Sequence, residues 1–266
     1  MRLWYCWWKN DAVCSKVSAN PLIKLTLVLL LSVKKIKTTQ ADEFIAPPCH
    51  SAIQIEYEDE ALLVINKPSG LLSLSGKNPL NKDSVHYRLV QNYPSATMVH
   101  RLDFGTSGLM VLALNKTVNA HLTKQFQART VVKAYNALLL GHLLDDEGVI
   151  NAPLTNGVFP HQTVCIKTGK ASESHYRVLA RLTDASSGLE TTRVLFTRLT
   201  GRTHQLRVHS QSIGHPIIGC DLYGLTIAGV NSQSLAERLM LHASYLAFAH
   251  PVTGVRINFK CSDPRV

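Results

Sequence analysis

The sequence predicts an α+β fold, with a mixed or mostly antiparallel central sheet and flanking helices. Three observations carry that prediction. Short strand-like runs are numerous, and the pairs Gly169 to Leu182 with Thr191 to Leu199, and Leu239 to Phe248 with Val255 to Phe259, read as antiparallel hairpins. The apolar run Leu109 to Leu114 reads as a buried strand. Only two or three stretches show a helical stripe, and they do not alternate regularly with the strands, as they would in a parallel α/β sheet. Hydrophobic residues make up 45% of the 266, enough for a substantial core.

Taken in order, Ile53, Ile55 and Tyr57 alternate as strand residues do. Glu58-Asp59-Glu60 turns the chain into the apolar strand Ala61 to Ile65, which ends at the Lys67-Pro68-Ser69-Gly70 turn. Asp83 is placed to cap a short helix whose Val85 and Leu89 share a face. A clearer helix runs from Lys116 to Ala128, where Val118, Leu122 and Phe126 form one stripe. Val131 to Leu140 reads as a strand, and Asp145-Asp146-Glu147-Gly148 as a solvated acidic turn. Thr200-Gly201-Arg202 leads into a helix through Gln205 and Ile213, with Gly214 as its left-handed stop. Residues 220–237 read as polar and irregular.

The stretch His100-Arg101-Leu102-Asp103-Phe104-Gly105-Thr106-Ser107-Gly108 sets an acid at the mouth of the buried Leu109 strand. The glycines permit tight backbone geometry, and Thr106 and Ser107 can bond local backbone. On local chemistry alone Asp103 reads as a turn organiser, the commoner use of Asp in such composition.

A wider pattern changes that weighting. His100-Arg101-Leu102-Asp103 with Thr106-Ser107-Gly108 resembles the signature of the RluA family of RNA pseudouridine synthases. Thr200-Gly201-Arg202-Thr203-His204-Gln205-Leu206-Arg207-Val208-His209 with Gly214-His215-Pro216 resembles the family's second block. Leu241-His242-Ala243 with His250-Pro251-Val252-Thr253-Gly254 resembles its third. Asn66-Lys67-Pro68-Ser69-Gly70 and Lys133-Ala134-Tyr135 fit as well, and all five blocks fall in the family's order. One short motif would be weak, whereas five in order are specific. The resemblance implies the pseudouridine synthase fold, a bent, mostly antiparallel sheet with a central cleft. It implies that Asp103 is the catalytic carboxylate and that Arg207 is its ion-pair partner. It implies that Tyr135 stacks on the target base. Desolvation in a cleft opposes ionisation of a carboxyl, and a guanidinium within reach offsets it.

Substrate contacts are expected from Arg101, His100, Thr106, Arg202, His204, Gln205 and Leu241, with Ile218 beside Leu241 in the uracil pocket wall. A target uridine in a folded stem-loop must be flipped out to reach a recessed Asp, and the resemblance gives Arg101 the space it leaves. His100 also reads as a residue that fixes its loop. The family pattern continues from Gly219 with Asp, whereas here Cys220 follows and Asp221 comes next. The run Tyr93-Pro94-Ser95-Ala96 and the overall length resemble members that act on both 23S ribosomal RNA and a tRNA anticodon stem-loop.

Lys plus Arg number 28 against 18 Asp plus Glu, a net charge of +10. Residues 193–266 carry 8 basic and 3 acidic residues, and the basic ones are almost all Arg. Arg suits bidentate phosphate contact, so a polyanionic partner such as structured RNA is expected. The cysteines Cys6, Cys14, Cys49, Cys165, Cys220 and Cys261 follow no disulfide framework and read as free thiols of a cytoplasmic protein. His204 and His209 lack the company a metal site needs, and no dinucleotide or phosphate-loop fingerprint occurs, so neither metal nor cofactor is expected.

Residues 51–266 read as the catalytic domain. Residues 1–50 read as an atypical N-terminal extension, disordered or with a misassigned start. Its apolar Leu22 to Val33 run is shorter than the ~20 residues of a membrane span, and a soluble monomer without obligate protein partners is expected. The competing readings are a non-catalytic RNA-binding protein of the same fold and a membrane-tethered protein using Leu22 to Val33.

Overall fold

The computed structural model describes residues 44–266. The strands are β1 (Gln54–Glu58), β2 (Leu62–Lys67), β3 (Thr97–Met98), β4 (Ser107–Ala113), β5 (Val132–Leu140), β6 (Glu147–Asn151) and β7 (Leu154–Asn156). They continue with β8 (Gln162–Val164), β9 (Glu173–Thr183), β10 (Glu190–Arg198), β11 (Thr226–Ile227), β12 (Val230–Asn231), β13 (Leu241–Ala249) and β14 (Arg256–Lys260). The helices are α1 (Val85–Leu89), α2 (Lys116–Gln127) and α3 (Gln205–Ser212). One large sheet runs β1-β2-β4-β13-β5-β10-β9-β6, with β14 beside β13 and β3 beside β4. β4 and β13 pair in parallel, through His242 with Ser107 and Ala243 with Gly108. The other pairings of this sheet are antiparallel. The expected α+β class and mixed sheet are what the chain adopts.

The apolar strands are buried on both faces because each face has a core. Leu63, Ile65, Met110 and Leu112 point into one cluster, and Leu62, Val64, Leu109 and Val111 into the other. That is the period-2 alternation of a strand expressed twice. Every residue of β4 is buried. α2 covers the second cluster with Val118 and Leu122. Full burial of a leucine such as Leu122 contributes about 2 kcal/mol. Asn115 caps α2, its side chain accepting from the Val118 amide at 2.9 Å.

Several expectations are corrected. The cap of α1 is Ser84, whose hydroxyl accepts from the Tyr87 amide, while Asp83 instead pairs with Arg88. A shorter side chain one position later reaches the free amides better. Glu147 and Gly148 are not turn residues but the start of β6, and Asp146 pairs with Arg181 of β9. β7 and β8 form an unforeseen small hairpin. Within 220–237 lie the β11–β12 hairpin and a 3₁₀ turn, Ser232–Leu235.

Residues 44–50, read from sequence as part of the extension, lie against the domain. Asn81 donates to the Phe44 carbonyl at 2.6 Å and accepts from the Ala46 amide at 2.8 Å, and Arg88 donates to the Cys49 carbonyl. The expectations for residues 1–43, including the Leu22 to Val33 run, lie outside the described residues. Among the described residues no helix is long and apolar enough to cross a membrane, and the four cysteines are free thiols.

Candidate active site

The parallel junction of β4 and β13 fixes where the central acid stands. Gly108 has φ +109°, and a Cβ there would fall on the Ala243 backbone. Only glycine lets the two strands meet at that point. Asp103 sits four residues before β4, and nearly every backbone group around it is tied down. Ser73 Oγ donates to the Leu102 carbonyl at 2.7 Å and accepts from the Leu102 amide at 3.1 Å. The Thr106 amide donates to the Asp103 carbonyl at 3.1 Å. The Phe104 carbonyl accepts from Lys67 Nζ at 3.2 Å and from the Gly70 amide at 3.0 Å. Ser69 Oγ donates to the Gly105 carbonyl at 2.6 Å. The Lys67-Pro68-Ser69-Gly70 turn thus serves as a cradle for the Asp103 loop.

The Lys67 ammonium is wholly buried and also donates to the carbonyls of Pro68 and Leu71. Burial holds its pKa down to about 7, with Cys49 and Asp103 pulling the other way. By contrast, the Asp103 carboxylate has no hydrogen bond or ion pair to any described residue.

A recess of about 70 Å³ collects Asp103, Arg101, Thr106, Tyr135, Arg202, His204, Gln205, Arg207 and Leu241. Nine of the eleven residues picked out from sequence therefore line one place. Of the other two, His100 lines an adjoining groove, and Ile218 is not a wall of the recess but part of the buried core. Tyr135, on β5, is 3% exposed, and its hydroxyl accepts from Arg198 Nη2 at 2.7 Å. The Arg198 guanidinium lies 4.9 Å over the Tyr135 ring, a cation–π contact. Leu241 and Thr106 are buried walls of the recess, whereas Arg101 is exposed at its rim, 3.4 Å from the Thr203 hydroxyl.

Two roles are corrected, those of Arg207 and Gln205, and of the two readings of His100 the structure shows the loop-fixing one. Arg207 does not pair with Asp103. Its guanidinium binds Asp221, its Nε reaches Cys220 Sγ at 3.3 Å, and it lies over the Tyr223 ring at 5.1 Å. The departure from the family pattern at Cys220-Asp221 supplies both partners. Arg207 is 4% exposed and still acts on Asp103 electrostatically. Gln205 has no capacity left for a substrate. Its amide donates to the Glu173 carbonyl and Ser174 Oγ and accepts from Thr200 Oγ1 and the Arg202 amide, the full complement of an amide side chain. Gln205 therefore shapes the turn that presents Arg202 and His204. His100 accepts from the Val111 amide at 3.1 Å and stacks on Phe126 at 4.8 Å. Burial, with Lys133 and Arg198 nearby, holds its pKa down to about 3, so it is a neutral pin between the loop and β4.

His204 stands just before α3 with φ +53°, in the left-handed region, and its Nδ1 is 2.7 Å from the Tyr223 hydroxyl. Burial lowers its pKa, and Asp103 opposes that. His209 turns elsewhere, to the Ala152 carbonyl.

Sequence reasoning missed Arg198, Tyr223 and Ser73. Arg198 could have been found from strand alternation, because it follows Phe196, which pairs with Tyr135 across β10 and β5. Nothing in the sequence signals that Ser73 reaches Leu102.

A family model described as RNA pseudouridylate synthase matches residues 61–212. The dual-specificity RNA pseudouridine synthase RluA of Yersinia pestis is 45% identical over 207 residues, 77% of this chain and 96% of that protein. Its namesake from Escherichia coli (strain K12) is 41% identical over 216 residues, 80% of this chain and 94% of that protein. The structure of human RNA pseudouridylate synthase domain containing 1 superposes with a TM-score of 0.67 at 31% identity. It covers 82% of this chain and 86% of its own.

Proposed function

Because this chain belongs to the RNA pseudouridylate synthase family, we propose that Asp103 is the carboxylate with which it isomerises uridine in structured RNA. The enzyme class follows from the family, and the residue roles and the choice of RNA are our reading. The observation that carries the reading is the unspent Asp103 carboxylate at the mouth of the recess.

The reaction breaks a carbon–nitrogen glycosidic bond, turns the uracil and rejoins it through carbon. Attack on the sugar, attack on the base and removal of a sugar proton all require a carboxylate rather than a carboxylic acid. The buried Arg207 guanidinium lines the same recess without occupying the oxygens Asp103 needs. Holding the loop by its backbone, rather than by the carboxylate, leaves the reacting group free yet preorganised. Tyr135 offers a flat ring and a hydroxyl whose orientation Arg198 sets. Leu241 and Thr106 close the pocket around a small planar ring. A base enters only after flipping out of its stack, which costs a few kcal/mol. Arg101, exposed at the rim, is suited to fill the gap left behind.

The relatives named as dual-specificity enzymes support two RNA substrates, which we take to be 23S ribosomal RNA and a tRNA anticodon stem-loop. We read the protein as a cytoplasmic monomer, and the four free thiols among the described residues fit a reducing compartment. The test is incubation of purified protein with both transcripts, followed by carbodiimide treatment and reverse transcription. Stops at one defined uridine in each RNA are expected. Stops in one RNA only would overturn dual specificity, and none in either would overturn the substrate assignment.

A further inference from the structure

Beside the recess runs a groove of about 430 Å³ with five cations on its walls, Arg101, Arg129, Lys133, Arg198 and Arg202, and no carboxylate. Of the other described arginines, Arg88, Arg181, Arg207, Arg238 and Arg265 each hold an aspartate, whereas Arg177, Arg193 and Arg256 stand singly outside the groove with no ion pair to a described residue. None of the five groove cations has an ion pair to a described residue. Their charge is therefore not consumed in holding the fold. Lys133 is mostly buried, with its ammonium 4.9 Å over the Phe126 ring. Burial and the adjacent Arg198 hold its pKa down to about 8, the mark of cations crowded without a counter-ion. The Nε of Arg198 and of Arg202 is buried without a hydrogen-bond partner. Arg198 and Arg101 line both groove and recess, so the two are continuous.

We propose that this groove seats the RNA strand flanking the flipped nucleotide, with Lys133, Arg129 and Arg198 on its phosphodiesters, and that Arg198 transmits this hold to Tyr135. The inference rests on the reading of Asp103 and its recess given above. A phosphate supplies the anion the cluster lacks. Arg198 suits the shared position because one edge of its fork bonds the Tyr135 hydroxyl while its charge faces the strand. Docking of the strand and orientation of the base-stacking ring then become one event. Arg198 is thus a positioning residue, acting through Tyr135.

The test separates binding from turnover. Affinity for a fluorescein-labelled RNA stem-loop is measured across a salt series in the Asp103→Asn background. Each phosphate contact adds about 0.7–0.9 to the slope of log K against log salt. Lys133→Met should lower the slope by about that amount and weaken binding by about tenfold. Arg129→Gln, on an exposed turn, should lower the slope likewise and keeps the test open if Lys133→Met does not fold. Arg177→Gln, on β9 outside the groove, makes the same change in net charge and should leave the slope as it was. Equal losses from Arg177→Gln and the groove variants would overturn the proposal in favour of diffuse charge, as would an unchanged slope in the groove variants. In otherwise wild-type protein, Arg198→Lys should keep the slope and lower kcat, and an unchanged kcat would overturn the link to Tyr135. If the wild-type protein binds in the groove but turns over no RNA, the fault lies with the Asp103 reading and not with the groove.

Discussion

Replacing Ser73 by alanine is expected to loosen the loop that carries Asp103 without touching the recess itself. The Ser73 hydroxyl satisfies both the amide and the carbonyl of Leu102, which is 6% exposed, so water does not replace it readily. Each buried backbone group left without a partner costs about 1–3 kcal/mol. The pair together should therefore lower unfolding stability by about 2–6 kcal/mol. A domain with about 5–15 kcal/mol in hand stays folded. The remaining ties, from Lys67, Gly70 and Ser69, act on the far side of Asp103, so the loop should tilt about its near end. A misplacement near 1 Å lowers kcat by about 100-fold. Urea unfolding and single-turnover modification of an RNA transcript read the two effects. A variant within about 0.5 kcal/mol of wild type, with unchanged kcat, would refute the claim that backbone ties hold Asp103 in place.

Other expectations rest on separate contacts. Gly108→Ala should prevent formation of the β4–β13 junction and yield no folded protein, checked by circular dichroism. Asn115→Ala removes the cap of α2 and should cost about 1 kcal/mol in a denaturant titration. His100 has a folded pKa of about 3 against an ordinary 6.5, so the unfolded chain binds the extra proton between those values. Its contribution is complete above pH 6.5 and is lost as pH falls toward 3. Over that window wild type should lose stability more steeply than His100→Gln, by about 1.4 kcal/mol per pH unit, and parallel curves would contradict the buried neutral ring. Arg207→Lys keeps the charge but not the two-sided grip on Cys220 and Asp221, and should lower kcat by about tenfold or more at saturating RNA.

Legibility from sequence followed the range of the interactions involved. β4 and α2 were readable because their signal is local: an apolar run in one, and a stripe at Val118 and Leu122 in the other. The stop at Gly214, with φ +81°, was readable for the same reason. β6, β7 and β8 were hidden because they are short and carry polar residues, and what makes them strands is their neighbours. At the site, the motifs led to residues that share one recess but not to their bonds. Arg207 is committed to Asp221, fourteen positions on, and Gln205 to Glu173 and Ser174, more than thirty back. Such pairings are decided by how the sheet folds over α3. Strand alternation puts Arg198 on the face of Phe196, but that this face meets Tyr135 depends on the register of β10 against β5.

The account stands most directly on Asp103 as the reacting carboxylate. The decisive measurement is tritium release from transcripts labelled at the uracil carbon that becomes bonded to the sugar, comparing wild type with Asp103→Asn. Asparagine keeps the shape and the loop ties but not the charge. Release by wild type, and none by a folded Asp103→Asn protein that still binds the RNA, is the predicted result. Release by the variant at the wild-type rate would contradict it.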